Sequence, residues 1–476
     1  MRIPPMSEWV MAGLVVWPLI WGALTLILPS RWVLFAGALG ALGTLALGVW
    51  VVSLPPQIMT LGNWPTPLGL SWRLDGISQS LIGLTAVVGG LISVYAGVDK
   101  SCPSVFWGLW LGAWGAMNAL FLTADVFHFY VTLELLTVSA VAMVALTPSA
   151  AATRAAFRYL VVSLTGSMFF LLGVALLYGR YGVLDMAILS EQMTMDWVSA
   201  LALAVMTIGL LAKTAVFPLH SWLPQAHSEA LTAVSAILSA LVIKTAFYGL
   251  MRLWLDVFAT LATVSASMVL GILASAAIFW GGYQALTTSR LKRLVAWSTV
   301  AQVGGLLLAL ALVVQAQATH SVQTASLWQG LVWLIGAHAL AKSAWFLAAG
   351  TVQKRAGSDY LTQIGFAMQH SPISVFAMTL AVVSLSGLPF TMGFIGKWWL
   401  LSLAWELQAW LWMLVSLLGS LLTLAYGWRL LNLSLMSRVW PQPLNPVSVS
   451  KDWVALGLAL LAVIGGFGSH WFWEGI

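Results

Sequence analysis

The stretch Leu211-Ala-Lys213-Thr-Ala-Val-Phe-Pro218-Leu-His220-Ser-Trp222-Leu-Pro224 decides how this chain is read. It ends an apolar run long enough to cross a bilayer, yet it holds a lysine and two prolines. Proline removes a backbone donor and frees carbonyls in the preceding turn. In a membrane such a break is tolerated where backbone lines a cavity or a hydrated path. A second stretch has the same character: Ser386-Gly387-Leu-Pro389-Phe-Thr-Met-Gly393-Phe-Ile-Gly396-Lys397. Each break puts a lysine close to freed backbone.

The composition around these stretches agrees. The chain has 476 residues, of which 20 are basic and 14 acidic, and 61% are hydrophobic. Its mean hydropathy is +0.95. Only 7% of residues are charged, against about 25% in an ordinary soluble domain. A soluble enzyme, a disordered chain and a nucleic-acid binder are excluded. The net charge of +6 comes without a Lys/Arg run, so membrane topology explains it better than an acidic partner. The single cysteine, Cys102, can form neither an internal disulfide nor a thiolate cluster. The first apolar stretch, Val10 to Pro29, is long enough to span and has no small-residue cleavage site after it. An inner-membrane protein inserted through its own helices is expected.

A span takes about 20 apolar residues. Fourteen candidates centre on 9–28, 32–53, 77–98, 104–123, 126–147, 157–178, 197–217, 230–254, 265–287, 294–314, 327–350, 372–396, 408–431 and 453–473. The runs are continuously apolar, which excludes the alternation of a transmembrane β-barrel. An all-α polytopic fold is therefore expected. With loops numbered by the span they follow, odd loops carry twelve basic residues, among them Arg31, Lys100, Lys354 and Arg438. The N-terminus and even loops carry four: Arg2, Arg73, Arg180 and Arg252. The positive-inside rule then puts odd loops in the cytoplasm and both termini on the outer, periplasmic side.

Four lysines remain: Lys213, Lys244, Lys342 and Lys397. All fall inside predicted spans, and so does Glu134. An ionisable group at mid-bilayer costs about 3 kcal/mol on insertion scales and usually marks an ion or proton path. Snorkelling from a helix end is the alternative; it suits Lys213 and Lys397 better than Lys244 or Lys342. Burial makes an ammonium release its proton more readily, and a nearby carboxylate opposes this. A carboxylate that approaches or leaves can therefore switch a lysine between loaded and empty. Glu134, the one acid in the middle of a span, is the natural partner.

The two breaks fall in spans 7 and 12, five apart. Five is odd, so equivalent helices run in opposite directions. This predicts two inverted five-helix repeats, spans 4–8 and 9–13. The expected layout is one membrane domain: 1–102 for helices 1–3, 103–255 and 256–432 for the repeats, and 433–476 for helix 14. His338 lies one turn before Lys342 on the same face, which fits a relay better than packing alone. His220 and His227, in and after the first break, fit a relay or a structural hydrogen bond equally. Glu229 could mark a path entrance. His128, His320, His370 and His470 sit near span ends and read as interfacial. No histidine pair has the context of a haem or metal site. No phosphate loop, dinucleotide fingerprint or nucleophile elbow appears, so neither ATP hydrolysis nor a redox cofactor is expected.

At Lys213–Arg252 the text closely resembles the antiporter-like subunits of respiratory complex I and of Mrp-type multisubunit sodium/proton antiporters. Four further blocks agree: Phe129-Tyr-Val-Thr-Leu-Glu134, Leu291-Lys292-Arg293-Leu-Val-Ala-Trp-Ser298, His338-Ala-Leu-Ala-Lys342 and Gly393-Phe-Ile-Gly-Lys397. The resemblance covers about residues 60–430. It implies fourteen helices with inverted repeats. It also implies a helix-5 glutamate in Glu134 with its helix-7 partner Lys213, a helix-8 relay in Lys244, a helix-11 relay in His338 and Lys342, and a terminal group in Lys397. Prolines common in the family are replaced by Leu231, Ala233 and Phe390. Gly62-Asn-Trp-Pro-Thr-Pro-Leu-Gly69 before Asp75-Gly76 looks most like the D-type protein of Mrp antiporters and its relatives in membrane-bound hydrogenases.

The expected function is thus proton translocation within a multisubunit Mrp-type cation/proton antiporter. Its expected partners are other membrane subunits, protons, possible sodium ions and the lipid bilayer, with no nucleic acid. The alternative is a proton-pumping subunit of complex I or of a membrane-bound hydrogenase. A third class, a scaffold or partner subunit of a bicarbonate-uptake system, has no need of four buried lysines unless it too uses them as a proton path.

Overall fold

The computed structural model describes residues 6–64, 66–99, 101–319, 324–365, 367–436 and 444–468. Arg2, Lys100, His320, Arg438 and His470, weighed above, lie outside them. Among the described residues, twelve helices are long and apolar enough to cross a membrane. Their cause is the one that hydropathy reports. In hydrocarbon each backbone N–H and C=O must be satisfied within its own segment, and a continuous helix does this. Two shorter apolar helices, Trp197–Lys213 and Pro372–Ser386, stop where the sequence predicts breaks.

Short polar residues set several helix starts. The Asp125 carboxylate accepts from the His128 amide at 2.7 Å, and Asp196 accepts from the Ser199 amide at 2.8 Å. Such caps satisfy backbone donors that the first turn leaves without partners. Gly182 and Gly387 end their helices at φ of 72° and 78°, a left-handed conformation that glycine adopts without a Cβ penalty.

Among the described residues, the all-α expectation has one exception. Gln57–Thr60 and Ser71–Leu74 pair as antiparallel strands, with Gln57 opposite Leu74 and Thr60 opposite Ser71. They connect the Ser30–Val51 and Gly76–Val98 helices.

The chain divides into two compact units. The first comprises Met1–Ser93, Ser101–Thr214 and Leu241–Thr263; the second comprises Val94–Lys100, Ala215–Ala240 and Val264–Ile476. In the first, Trp110 and Trp114 lie 5.0 Å apart, and the Trp110 indole donates to the Ser93 hydroxyl. In the second, Leu291–Ala318 is buried along almost its whole length. Leu26, Phe35, Leu172, Ile272 and Leu421 remain exposed. Such apolar surfaces are a liability in water and are normal against lipid.

Candidate functional site

Glu134 sits on the helix Val126–Val144, and Lys213 is the last residue of the helix Trp197–Lys213. The Lys213 Nζ donates to Glu134 Oε1 at 2.9 Å and to Thr137 Oγ1 at 2.8 Å. Thr137 is three residues after Glu134, so the helix presents both on one face. The Ser167 hydroxyl, from a third helix, donates to the same carboxylate oxygen. The lysine side chain is 5% exposed and the glutamate 20%. Desolvation offsets much of the attraction in such a pair, but removing one partner strands the other charge. Here the stranded charge would be on Lys213.

The chain breaks directly after Lys213. Ala215 takes a positive φ of 57°, and helix resumes only at Leu223–Glu229. Pro218 and His220 lie in this break. The His220 ring stacks on Phe217 and sits 5.5 Å from Trp297. His227 is buried between Trp222 and Phe346. Glu229 lies 3.7 Å from both Arg290 and Arg293. A polar recess of about 380 Å3 opens beside the break, lined by Ser221, Gln225, Gln284, Arg293 and Trp297 among others.

Lys244 lies within the fully buried span Thr232–Val257 and is itself only 2% exposed. The helix is irregular at this point. Leu238–Val242 forms a π turn just before it, and Leu253–Val257 forms another. A π turn takes its carbonyls out of the regular ladder, a feature frequent at functional sites. Arg252, two turns after Lys244, is buried in an ion-pair cluster. It grips both oxygens of Asp75 at 2.7 and 2.6 Å and reaches Asp256 at 2.9 Å, while Arg73 also binds Asp256 at 2.9 Å. This cluster fixes the end of the Lys244 helix.

Lys342 and His338 share the helix Thr324–Ala356. Lys342 is fully buried. It donates to the Ser298 hydroxyl and, at 3.2 Å, to the Val295 carbonyl. Its ammonium also lies 4.9 Å from the Trp345 ring centroid, within cation–π range. Lys397 does not snorkel. Its Nζ turns back to the break, donating to the Ser386 carbonyl at 3.3 Å and to the Ser420 hydroxyl at 2.9 Å. Gly393 makes this fold-back possible. A Cβ there would lie 1.8 Å from the Ser384 carbonyl oxygen, so only glycine lets the second half-helix begin this close. Lys397 and His338 line one cavity of about 50 Å3, with Gln302, Ser384, Ser416 and Thr423. Most of the remaining lining is apolar, Leu306, Leu334 and Leu400 included, so these polar side chains are the groups that a water in this space would meet.

Of the residues singled out from sequence, Glu134 pairs with Lys213, and His338 and Lys397 share a cavity. Lys244 and Lys342 are buried in separate helices. Pro218 and Pro389 lie in the breaks, and His220, His227 and Glu229 cluster around the first. Sequence alone does not mark the hydroxyls that hold these ions, namely Thr137, Ser167, Ser298 and Ser420. By position Arg252, Lys292 and Lys451 belong to loops, whereas all three are buried in the structure.

Residues 123–423 match the family described as NADH:quinone oxidoreductase/Mrp antiporter, transmembrane. The chain is 33% identical to the N-type protein of the NADH-quinone oxidoreductase of Desulforudis audaxviator, over 87% of this chain and 82% of the relative. It is 26% identical to the D-type protein of the Na(+)/H(+) antiporter of Bacillus subtilis, over 92% and 89%. Its fold superposes on a chain of the Mrp complex from Dietzia with a TM-score of 0.89 at 22% identity, covering 99% and 96% of the two chains. A chain of respiratory complex I from Thermus thermophilus gives 0.83 at 22%, covering 98% and 97%. This chain belongs to the NADH:quinone oxidoreductase/Mrp antiporter transmembrane family.

Proposed function

We propose that this chain is the proton-translocating subunit of a multisubunit Mrp-type monovalent cation/proton antiporter in a bacterial inner membrane. The carrying observation is the set of four lysines in membrane helices, one of them paired with Glu134. Protons enter half-channels at the broken helices and pass along Lys213, Lys244, His338, Lys342 and Lys397. Separation of Glu134 from Lys213 is the switch. Sodium exchange requires the partner subunits.

On this reading the twelve long spans and the two interrupted segments count as fourteen crossings, with spans 4–8 and 9–13 as inverted repeats and both termini outside. The ion pairs support this topology. Among the described residues, each pair outside the spans joins loops of one parity. Arg73, Asp75, Arg252 and Asp256 belong to even loops, as do Arg180 and Asp196. Asp99, Lys354, Lys451, Arg355 and Asp452 belong to odd loops, as do Glu229, Arg290 and Arg293.

The second reading, a proton-pumping subunit of complex I or of a membrane-bound hydrogenase, is favoured by the 33% identity to a protein of an NADH-quinone oxidoreductase. Native purification through a tag on this chain, followed by mass spectrometry and reconstitution, decides between them. Small hydrophobic partners and sodium-driven proton exchange are expected. Iron–sulfur and quinone-site partners would move the chain to the redox class. A chain recovered without partners would contradict both readings.

A further inference from the structure

We infer that the Tyr426 hydroxyl, with Ser298, Thr423 and Gln302, passes protons between Lys342 and Lys397. This role rests on the proton-path reading above and adds residues to it. Lys342 and Lys397 stand on different helices, and a series of polar side chains lies between them. Lys342 donates to Ser298 Oγ. The Tyr426 hydroxyl lies close enough to Ser298 for the two to interact electrostatically, and it donates to Thr423 Oγ1 at 3.1 Å. The Gln302 amide donates to Thr423 at 2.9 Å and to Tyr426 at 3.4 Å. Gln302 and Thr423 line the cavity that also holds His338 and Lys397. Tyr426 is fully buried, with its ring stacked on Trp345, so its hydroxyl is held in place.

The sequence contains a comparison within itself. Thr245-Ala-Phe-Tyr248-Gly249 recurs as Thr423-Leu-Ala-Tyr426-Gly427. The Tyr248 hydroxyl donates to the Phe121 carbonyl and accepts from Arg252. Neither partner can take a proton onward and return it. Tyr426 faces two hydroxyls instead, and each of these can accept one proton and release another.

The transfer balances. The Lys342 ammonium gives a proton to Ser298 Oγ as Ser298 gives its own to Tyr426. Tyr426 gives its proton to Thr423, and Thr423 gives one to water in the cavity. That water protonates the Lys397 amine. Lys342 ends neutral, Lys397 ends charged and every hydroxyl is restored. Ser298 must first turn its proton away from the Val295 carbonyl, to which it now donates at 2.8 Å.

The test is proton uptake by everted vesicles containing the whole complex. The variants are Tyr426→Phe, which keeps the ring, and Thr423→Val, which keeps the shape. Each is run in H2O and in D2O beside Lys244→Ala. Expected is a loss of about 100-fold for Tyr426→Phe, the low end for one positioned proton-transfer group. Complex assembly should be normal and the solvent isotope effect changed. Thr423→Val should share that changed isotope effect. Full activity of Tyr426→Phe would overturn the inference, and so would a lowered activity with an unchanged isotope effect, which marks a packing role. If Lys244→Ala also retains full activity, the proton-path reading itself fails. If Lys244→Ala is inactive and Tyr426→Phe is not, only the present inference fails.

Discussion

Charged side chains enter this protein where something answers them. Lys213 has Glu134 and Thr137, Lys342 has Ser298, Lys397 has Ser386 and Ser420, and Arg252 has two aspartates. At Asp75 the balance can be tested. Burial raises its carboxyl pKa, but the Arg252 guanidinium, the Ser78 amide and Arg73 outweigh it and hold the group below the ordinary value of 3.8. A depressed folded-state pKa contributes stability above the unfolded value and loses it as pH falls through the folded one. Asp75→Asn leaves Arg252 buried with half its partners and is expected to cost about 2 kcal/mol, below the range for a fully buried pair because Asp75 is partly exposed. Thermal unfolding in detergent should show a constant deficit above pH 5 that shrinks below pH 3.8. No deficit at pH 7 would contradict this balance. Sequence made the ionisable residues legible because any charge in an apolar run stands out. The hydroxyls did not stand out. Serine and threonine are cheap in membrane helices, and Lys213 and Thr137 meet although they lie far apart along the chain.

Continuous apolar runs define the helices, and proline with glycine marks where two of them stop. What such a run does not reveal is how the second break is built. Gly387 supplies the left-handed residue and Gly393 the close approach to Ser384. Gly393→Ala puts a carbon on a backbone carbonyl that no rotamer change can relieve. Expected is a loss of at least about 2 kcal/mol, in the range for overpacking, with Lys397 displaced and transport reduced. Melting and transport assays together check this; wild-type behaviour in both would show that the break is not held as described. The hairpin at Gln57–Leu74 is hard to see in sequence because its strands are four residues each and its loop is longer than the tight turns that announce hairpins. Lys292 and Lys451 resemble loop charges because they flank spans. In the structure Lys292 caps the Ala230 carbonyl at 2.5 Å and Lys451 pairs with Asp99 at 2.9 Å.

For the molecule as a whole, low charge is a matter of placement. Among the described residues, most of the basic side chains outside the four lysines sit near helix ends, where several pair with acids of other loops. Of the four lysines in apolar runs, Lys213, Lys342 and Lys397 are held by hydroxyls, carbonyls and one carboxylate, and Lys244 is buried in its helix. The family and the fold were legible because those four are tied to motifs of fixed spacing. Partner identity was not, since the motifs of this chain resemble both branches of the family. Whether protons cross on these buried groups is tested most directly at Lys244, because it lies in the middle of a fully buried span. Proton uptake should be measured in everted vesicles carrying Lys244→Ala, with assembly checked by native gel. Expected is an assembled complex whose transport falls by at least about 100-fold. Wild-type transport from that complex would contradict passage of protons along this path.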